Sequence, residues 1–166
     1  MPETPTIGIV MGSDSDLEIM KKCAAQLDEF GISWEMRVIS AHRTPEDAHE
    51  YAVTARDRGL KLLIAGAGMS AALGGVLAAN TTLPVIGIPI NSGPLVGVDA
   101  ALSTMQMPPG VPVACMAIGS AGAKNAAVFA AEILGVADPA MAQRLAEFKE
   151  TQAEKVRRKD QAIQDN

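Results

Sequence analysis

The apolar positions of this chain fall into short unbroken runs, separated by segments in which they recur every three or four residues. Thr6–Met11 is a run of β-favouring residues closed by Gly12 and predicts a strand. Leu17, Met20, Ala24, Leu27 and Phe30 then follow helical spacing up to Gly31, a C-terminal stop. The alternation continues with a strand over Ser33–Ile39 and a helix over Pro45–Arg58 closed by Gly59. A strand over Lys61–Ala65 leads through a glycine-rich turn into an alanine-rich helix ending near Asn80. Strands over Pro84–Ile88 and Val111–Met116, with helices over Val98–Met105 and Ala123–Leu134, complete the series. Strands that are apolar throughout predict a sheet covered on both faces. Strict β-α alternation with short connections predicts a parallel, doubly wound α/β sheet. Five strands favour a three-layer, flavodoxin-like order, in which ligands bind outside the carboxyl ends of the strands.

The pattern changes after Asp138-Pro139. Met141, Leu145, Phe148 and Gln152 mark one stripe of a long helix whose other positions are highly charged. Residues 1–137 are therefore read as one α/β domain, and 138–166 as a C-terminal helical arm that packs on the domain or on a neighbouring subunit.

Composition narrows the partners. A length of 166 residues suits one domain with a full core. The formal net charge of −5 argues against nucleic acid and acidic membranes, and aromatics at 3 % leave few platforms for stacking bases. The longest apolar runs are too short to cross a bilayer. Pro2-Glu3-Thr4-Pro5 leads directly into the first strand, without a signal-like segment. Cys23 and Cys115 lie far apart in the chain, without metal-ligand or CxxC spacing. Both are expected to be buried and reduced, with the cytoplasm as compartment and no metal.

Three strand-to-helix loops carry candidate chemistry. Gly12-Ser-Asp-Ser-Asp16 offers hydroxyls and free N–H groups at a helix start, which suits a phosphate. Ser15 and Glu18 also form a plain capping-box pattern, so the loop reads equally well as structure. In Ser40-Ala-His-Arg-Thr-Pro45, helix initiation explains Thr44 as N-cap and Pro45 at the first helical position, with Asp47 behind them. His42 and Arg43 are left over. A histidine suits proton transfer near neutral pH, and an arginine supplies a fork of donors for phosphate. His49, inside the second helix, reads as a solvated face.

Gly66-Ala-Gly-Met-Ser-Ala71 matches a loose GxGxxA pattern, but it follows the third strand and no acid ends the next one. A tight turn or a close ligand approach explains it better than a dinucleotide site. Asn91–Pro94 and Gln106–Gly110 read as turn chemistry, although either could equally line a site, and Gly119–Asn125, with Lys124, reads as the opening of the last domain helix; taken alone, each is better explained as structure.

With these segments placed, the chain resembles the class I N5-carboxyaminoimidazole ribonucleotide mutases of purine biosynthesis, the PurE family. The resemblance runs from Thr6 to about Leu134 on MGSDSD (Met11–Asp16), SAHRTP (Ser40–Pro45), IAGAG (Ile64–Gly68), GVD (Gly97–Asp99), QMPPGVPVA (Gln106–Ala114) and AKNAA (Ala123–Ala127). It implies a reaction without cofactor or metal that moves a carboxylate from N5 to C4 of an imidazole ribonucleotide. His42 matches the proposed proton shuttle. Ser13, Asp16, Ser40 and Arg43 match substrate-binding residues, and Gly66 and Gly68 are placed to approach the imidazole and its carboxylate. A homo-octamer is implied as well. One stretch departs from the family, which usually continues GAGGAAHLPG: Ala72 stands where a second histidine is common, and Gly74 where a proline is.

Rival readings are a carboxylase using free CO2, a non-catalytic nucleotide- or flavin-binding module, and a related carboxylase acting on a pyridine nucleotide. Against the first, Arg43 stands where that class typically has lysine. The second leaves His42 and Arg43 without a task. Purine-pathway motifs along most of the chain disfavour the third.

Overall fold

The structure, a computed structural model, describes residues 4–165, so Pro2 and Glu3 of the opening stretch lie outside the described residues. The strands are β1 (Ile7–Met11), β2 (Trp34–Val38), β3 (Leu62–Gly68), β4 (Val85–Ile90) and β5 (Ala114–Cys115). The helices are α1 (Leu17–Glu29), α2 (Pro45–Thr54), α3 (Leu73–Ala79), α4 (Val98–Met105), α5 (Ser120–Gly135) and α6 (Pro139–Gln164). All strand pairs are parallel, in the order β2-β1-β3-β4-β5. This is the predicted flavodoxin-like order, in which the chain reverses direction across the sheet between β1 and β3 and leaves a crevice there.

Covered faces explain the composition of the strands. Every residue of β1 and β4 is buried, as are the first five of β3. On one face Val10, Leu63, Ala65 and Val85 pack with Ala48, Tyr51 and Ala52 of α2 and Leu73 and Leu77 of α3. Side chains alternate along a strand, so Gly66 turns to the opposite face, where Met20 of α1 fills the space that a Cβ would need. The edge strand β2 is only half-buried. Glu35 ties it to the end of α2, accepting from the Tyr51 hydroxyl at 2.7 Å and from Arg58 Nη1 at 2.6 Å. Burial alone would raise the Glu35 carboxyl, but these hydrogen bonds outweigh it and hold the group below the ordinary value.

Several boundaries differ from the sequence reading. β3 and β4 pair as far as Gly68 with Ile90, so the glycine-rich stretch expected to be a turn is strand through Gly68. β5 shrinks to Ala114–Cys115, because Pro112 lacks the N–H a ladder needs. α2 ends at Thr54, and looser turns lead to Gly59, whose φ of 95° closes them. Cys23 is buried and its thiol is pushed up to about 12 by that burial, whereas Cys115 is only half-buried.

The chain divides into two compact units within α5, after Ala130. In the second, the Asp138 side chain caps α6 by accepting from Ala140 N at 2.9 Å, Met141 and Leu145 are buried, and Lys149 pairs with Glu132 at 3.0 Å. Among the described residues no helix is long and apolar enough to cross a membrane.

Two glycines separate packing need from chance. At Gly74, in the first turn of α3, a Cβ meets Val113 Cγ1 at 3.4 Å, an ordinary contact. Gly74→Ala is therefore expected to raise stability by about 0.5–1 kcal/mol through the unfolded state. Gly66→Ala is expected to lower it by about 1–3 kcal/mol by overpacking Met20. Chemical denaturation of both variants checks the opposite signs.

Candidate active site

At the carboxyl ends of β1 to β4 lies a cleft of about 460 Å³ lined by Gly12, Ser13, Ser15, Asp16, Ser40, Ala41, His42 and Arg43 on one side. Ala67, Gly68, Met69, Ser70, Ala72, Leu73 and Ser92 complete it. Six of the residues singled out in the sequence, Ser13, Asp16, Ser40, His42, Arg43 and Gly68, thus share one cavity. Gly66 does not line it. Its missing side chain accommodates Met20 rather than a ligand.

The first loop is held by its own hydroxyls. Ser13 caps a short 3-10 turn over Asp14–Asp16, its Oγ accepting from Ser15 N at 3.3 Å. Ser15 Oγ donates to Ser13 Oγ at 2.9 Å and to Asp16 Oδ1 at 3.2 Å. The Ser15–Glu18 capping box does not form. Glu18 pairs instead with Lys21 at 2.8 Å on the surface, leaving Ser15 in the cleft. Asp16 is 5 % exposed. Its burial raises the carboxyl above the ordinary value, and the Ser15 hydrogen bond only partly offsets this.

The second loop is a closed ring. Thr44 N and Oγ1 both donate to the Ser40 carbonyl, at 2.9 and 3.2 Å, and Ser40 N donates back to Thr44 Oγ1 at 3.1 Å. Ser40 Oγ accepts from Arg43 N at 3.2 Å. Thr44 occupies the N-cap position of α2 but makes no capping bond with its side chain, which serves the loop instead. The ring presents His42 and Arg43 exposed at the rim, and neither side chain has a polar partner among the described residues. An arginine without a counter-ion beside a cluster of hydroxyls offers its fork of donors to an anion. His49, exposed on α2, bonds Asn80 Oδ1 through Nδ1 at 2.8 Å and is remote from the cleft lining.

The third side was less legible. Met69 and Leu73 line the cleft although the sequence reading assigned them no role, and Ser92 lines it from a segment for which a site was only the less favoured reading. Ser92 belongs to a segment taken as turn chemistry. Only the pairing of β4 with β3 brings it beside Gly68, a long-range fact with no local signal. Met69 carries a φ of 55°, a conformation unusual for a side chain of its size. No group of three or more His, Cys, Asp or Glu side chains among the described residues is placed to hold a metal ion.

A profile of the AIRC family, described as AIR carboxylase, matches residues 6–155. The chain belongs to that family. Among the family's relatives, the N5-carboxyaminoimidazole ribonucleotide mutase of Pyrococcus abyssi is 56 % identical over 88 % of this chain and 83 % of its own length. The enzyme of the same name from Mycobacterium tuberculosis is 50 % identical over 98 % of this chain and 92 % of its own. The crystal structure of Treponema denticola PurE superposes with a TM-score of 0.86 at 32 % identity, covering 96 % of this chain and 98 % of that one. The AIR carboxylase profile extends well into α6.

Asp16 is a buried carboxylate in the wall of the cleft, kept there against the cost of its burial. Because the Asp16 pKa is higher in the folded than in the unfolded chain, its charge costs stability at neutral pH, and the loss is recovered as pH falls through the raised value. Asp16→Asn is expected to raise Tm at pH 7 while weakening nucleotide binding about tenfold, the worth of a charged hydrogen bond. A lowered Tm with unchanged affinity would make Asp16 structural.

Proposed function

We propose that this protein is an N5-carboxyaminoimidazole ribonucleotide mutase of purine biosynthesis, moving a carboxylate from N5 to C4 of the imidazole ring. The observation that carries the reading is the cleft: unpaired Arg43 and the Ser13–Asp16 loop for a ribose phosphate, with the unpaired ring of His42 beside them. Relatives matched over most of the chain bear that name.

In the proposed reaction the N5–carboxylate bond breaks, CO2 stays in the cleft, and N5 takes up a proton. C4 then attacks the CO2 and gives up its proton as the new carbon–carbon bond is made. One proton is gained at nitrogen and one lost at carbon, so one residue that donates and then accepts ends where it began. His42 is our candidate, supported by its place in the cleft lining and by a side-chain chemistry suited to both directions near pH 7. Arg43 holds the phosphate through its planar fork. Ala67, Ala72 and Leu73 supply an apolar wall for the neutral CO2. Arginine rather than lysine at position 43 favours this reaction over carboxylation by free CO2.

The test follows ultraviolet absorbance of the C4-carboxylated product from two substrates. The protein is expected to convert the N5-carboxylated nucleotide without added bicarbonate, and to do so far better than it carboxylates the unmodified nucleotide with CO2. His42→Asn is expected to keep nucleotide affinity within a few-fold and to lose at least about 100-fold in kcat. Preference for free CO2 would make the protein a carboxylase, and a largely active His42→Asn would remove the histidine from proton transfer.

A further inference from the structure

The glycine-rich end of β3 leaves room for a side chain that the functional reading has not used. A Cβ on Gly68 would overlap Ser92 Oγ and would lie 3.2 Å from Ser92 Cβ. The space above Gly68 is thus occupied by the Ser92 hydroxyl, which enters the cleft from the end of β4. Ser92 N donates to the Ile90 carbonyl at 2.9 Å, fixing the turn that carries it. Ser92 is half-buried, and its hydroxyl has no hydrogen-bond partner among the described residues. A hydroxyl wedged against a glycine, open to the cleft and engaged by no group of the fold, is a donor free to meet a ligand.

Its position in the sheet indicates what. Neighbouring strands lie about 4.8 Å apart, so the end of β4 is two strands, or roughly 10 Å, from the β1 loop. The phosphate-binding candidates Ser13, Ser15 and Arg43 cluster at the ends of β1 and β2. On the β3–β4 side the lining contains no lysine or arginine, and Ala72 adds no polar atom. A nucleotide anchored by its phosphate near β1 and β2 extends its heterocycle toward β3 and β4. The one charged group at that end is the carboxylate.

We propose that Ser92 is a substrate-contacting residue whose hydroxyl donates a hydrogen bond to the carboxylate carried by the imidazole, with Gly68 as the notch that lets it reach. The proposal rests on the mutase reading. It reassigns Gly68 from a place where ligand meets backbone to one where a side chain is admitted. Ser70, the other hydroxyl on this side, is exposed and has no comparable notch.

Calorimetric titration of the full-length protein separates the possibilities, using the C4-carboxylated nucleotide and its decarboxylated counterpart as probes. Ser92→Ala is expected to weaken the carboxylated nucleotide about tenfold, to leave the decarboxylated one within twofold, and to leave Tm unchanged. Ser92→Thr, which keeps the hydroxyl, is expected to recover most of the affinity. Gly68→Ala, which displaces the hydroxyl, is expected to mimic Ser92→Ala. Equal loss for both nucleotides, or no loss for either, overturns the proposal while the wild-type affinity leaves the mutase reading standing. If the wild-type protein binds neither nucleotide, both fall together.

Discussion

From Ala65 to Gly68 the central strand β3 carries nothing larger than a methyl group, and the shape of the cleft follows from that scarcity. β1 and β4 flank this strand in parallel register, each fully buried. Met20 rises against Gly66 from one face, and Ser92 leans over Gly68 from the neighbouring strand. Bulk at either glycine would push a helix off the sheet or a hydroxyl out of the cleft. A close-packed interior cannot absorb such an addition without displacing its neighbours. The same four residues therefore serve packing below and access above.

Around this small-residue floor, polar side chains build the loops, and neither α1 nor α2 is capped by a side chain. Ser15 donates to Ser13 and Asp16, Ser13 donates to Asp14, and Thr44 closes a ring on Ser40. Each local bond contributes on the order of 1 kcal/mol. Their larger effect is to hold His42 and Arg43 at the rim and Asp16 in the wall of the cleft. Those groups are themselves unpaired or, for Asp16, buried at a cost. Exposed donors without a protein partner and a carboxylate buried at a cost are what a binding site exchanges stability for.

Much of this was legible along the chain. Unbroken apolar runs spaced by helical periods gave the parallel sheet and its order, because a sheet covered on both faces needs such strands. His42 and Arg43 stood out since helix initiation at Thr44 and Pro45 left them unexplained. What local pattern missed was decided at long range. Gly66–Gly68 reads as a turn until the pairing with Ile88–Ile90 makes it strand. Ser92 reads as turn chemistry until that pairing sets it beside Gly68. The Ser15–Glu18 capping box satisfies the sequence rule, yet the 3-10 turn takes its place. The fifth strand was read as Val111–Met116 without regard to Pro112, and the ladder is confined to Ala114–Cys115.

The central claim is that one cleft holds the nucleotide and the carboxylate together throughout the transfer. Isotope retention tests it most directly. The substrate would carry ¹³C in its N5-carboxylate, in buffer containing excess unlabelled bicarbonate, and the product would be read by mass spectrometry at low conversion. An enclosed transfer at this site keeps nearly all of the label at C4. Loss of the label to the level of the surrounding bicarbonate would show that CO2 leaves and re-enters from solution, and would contradict the account.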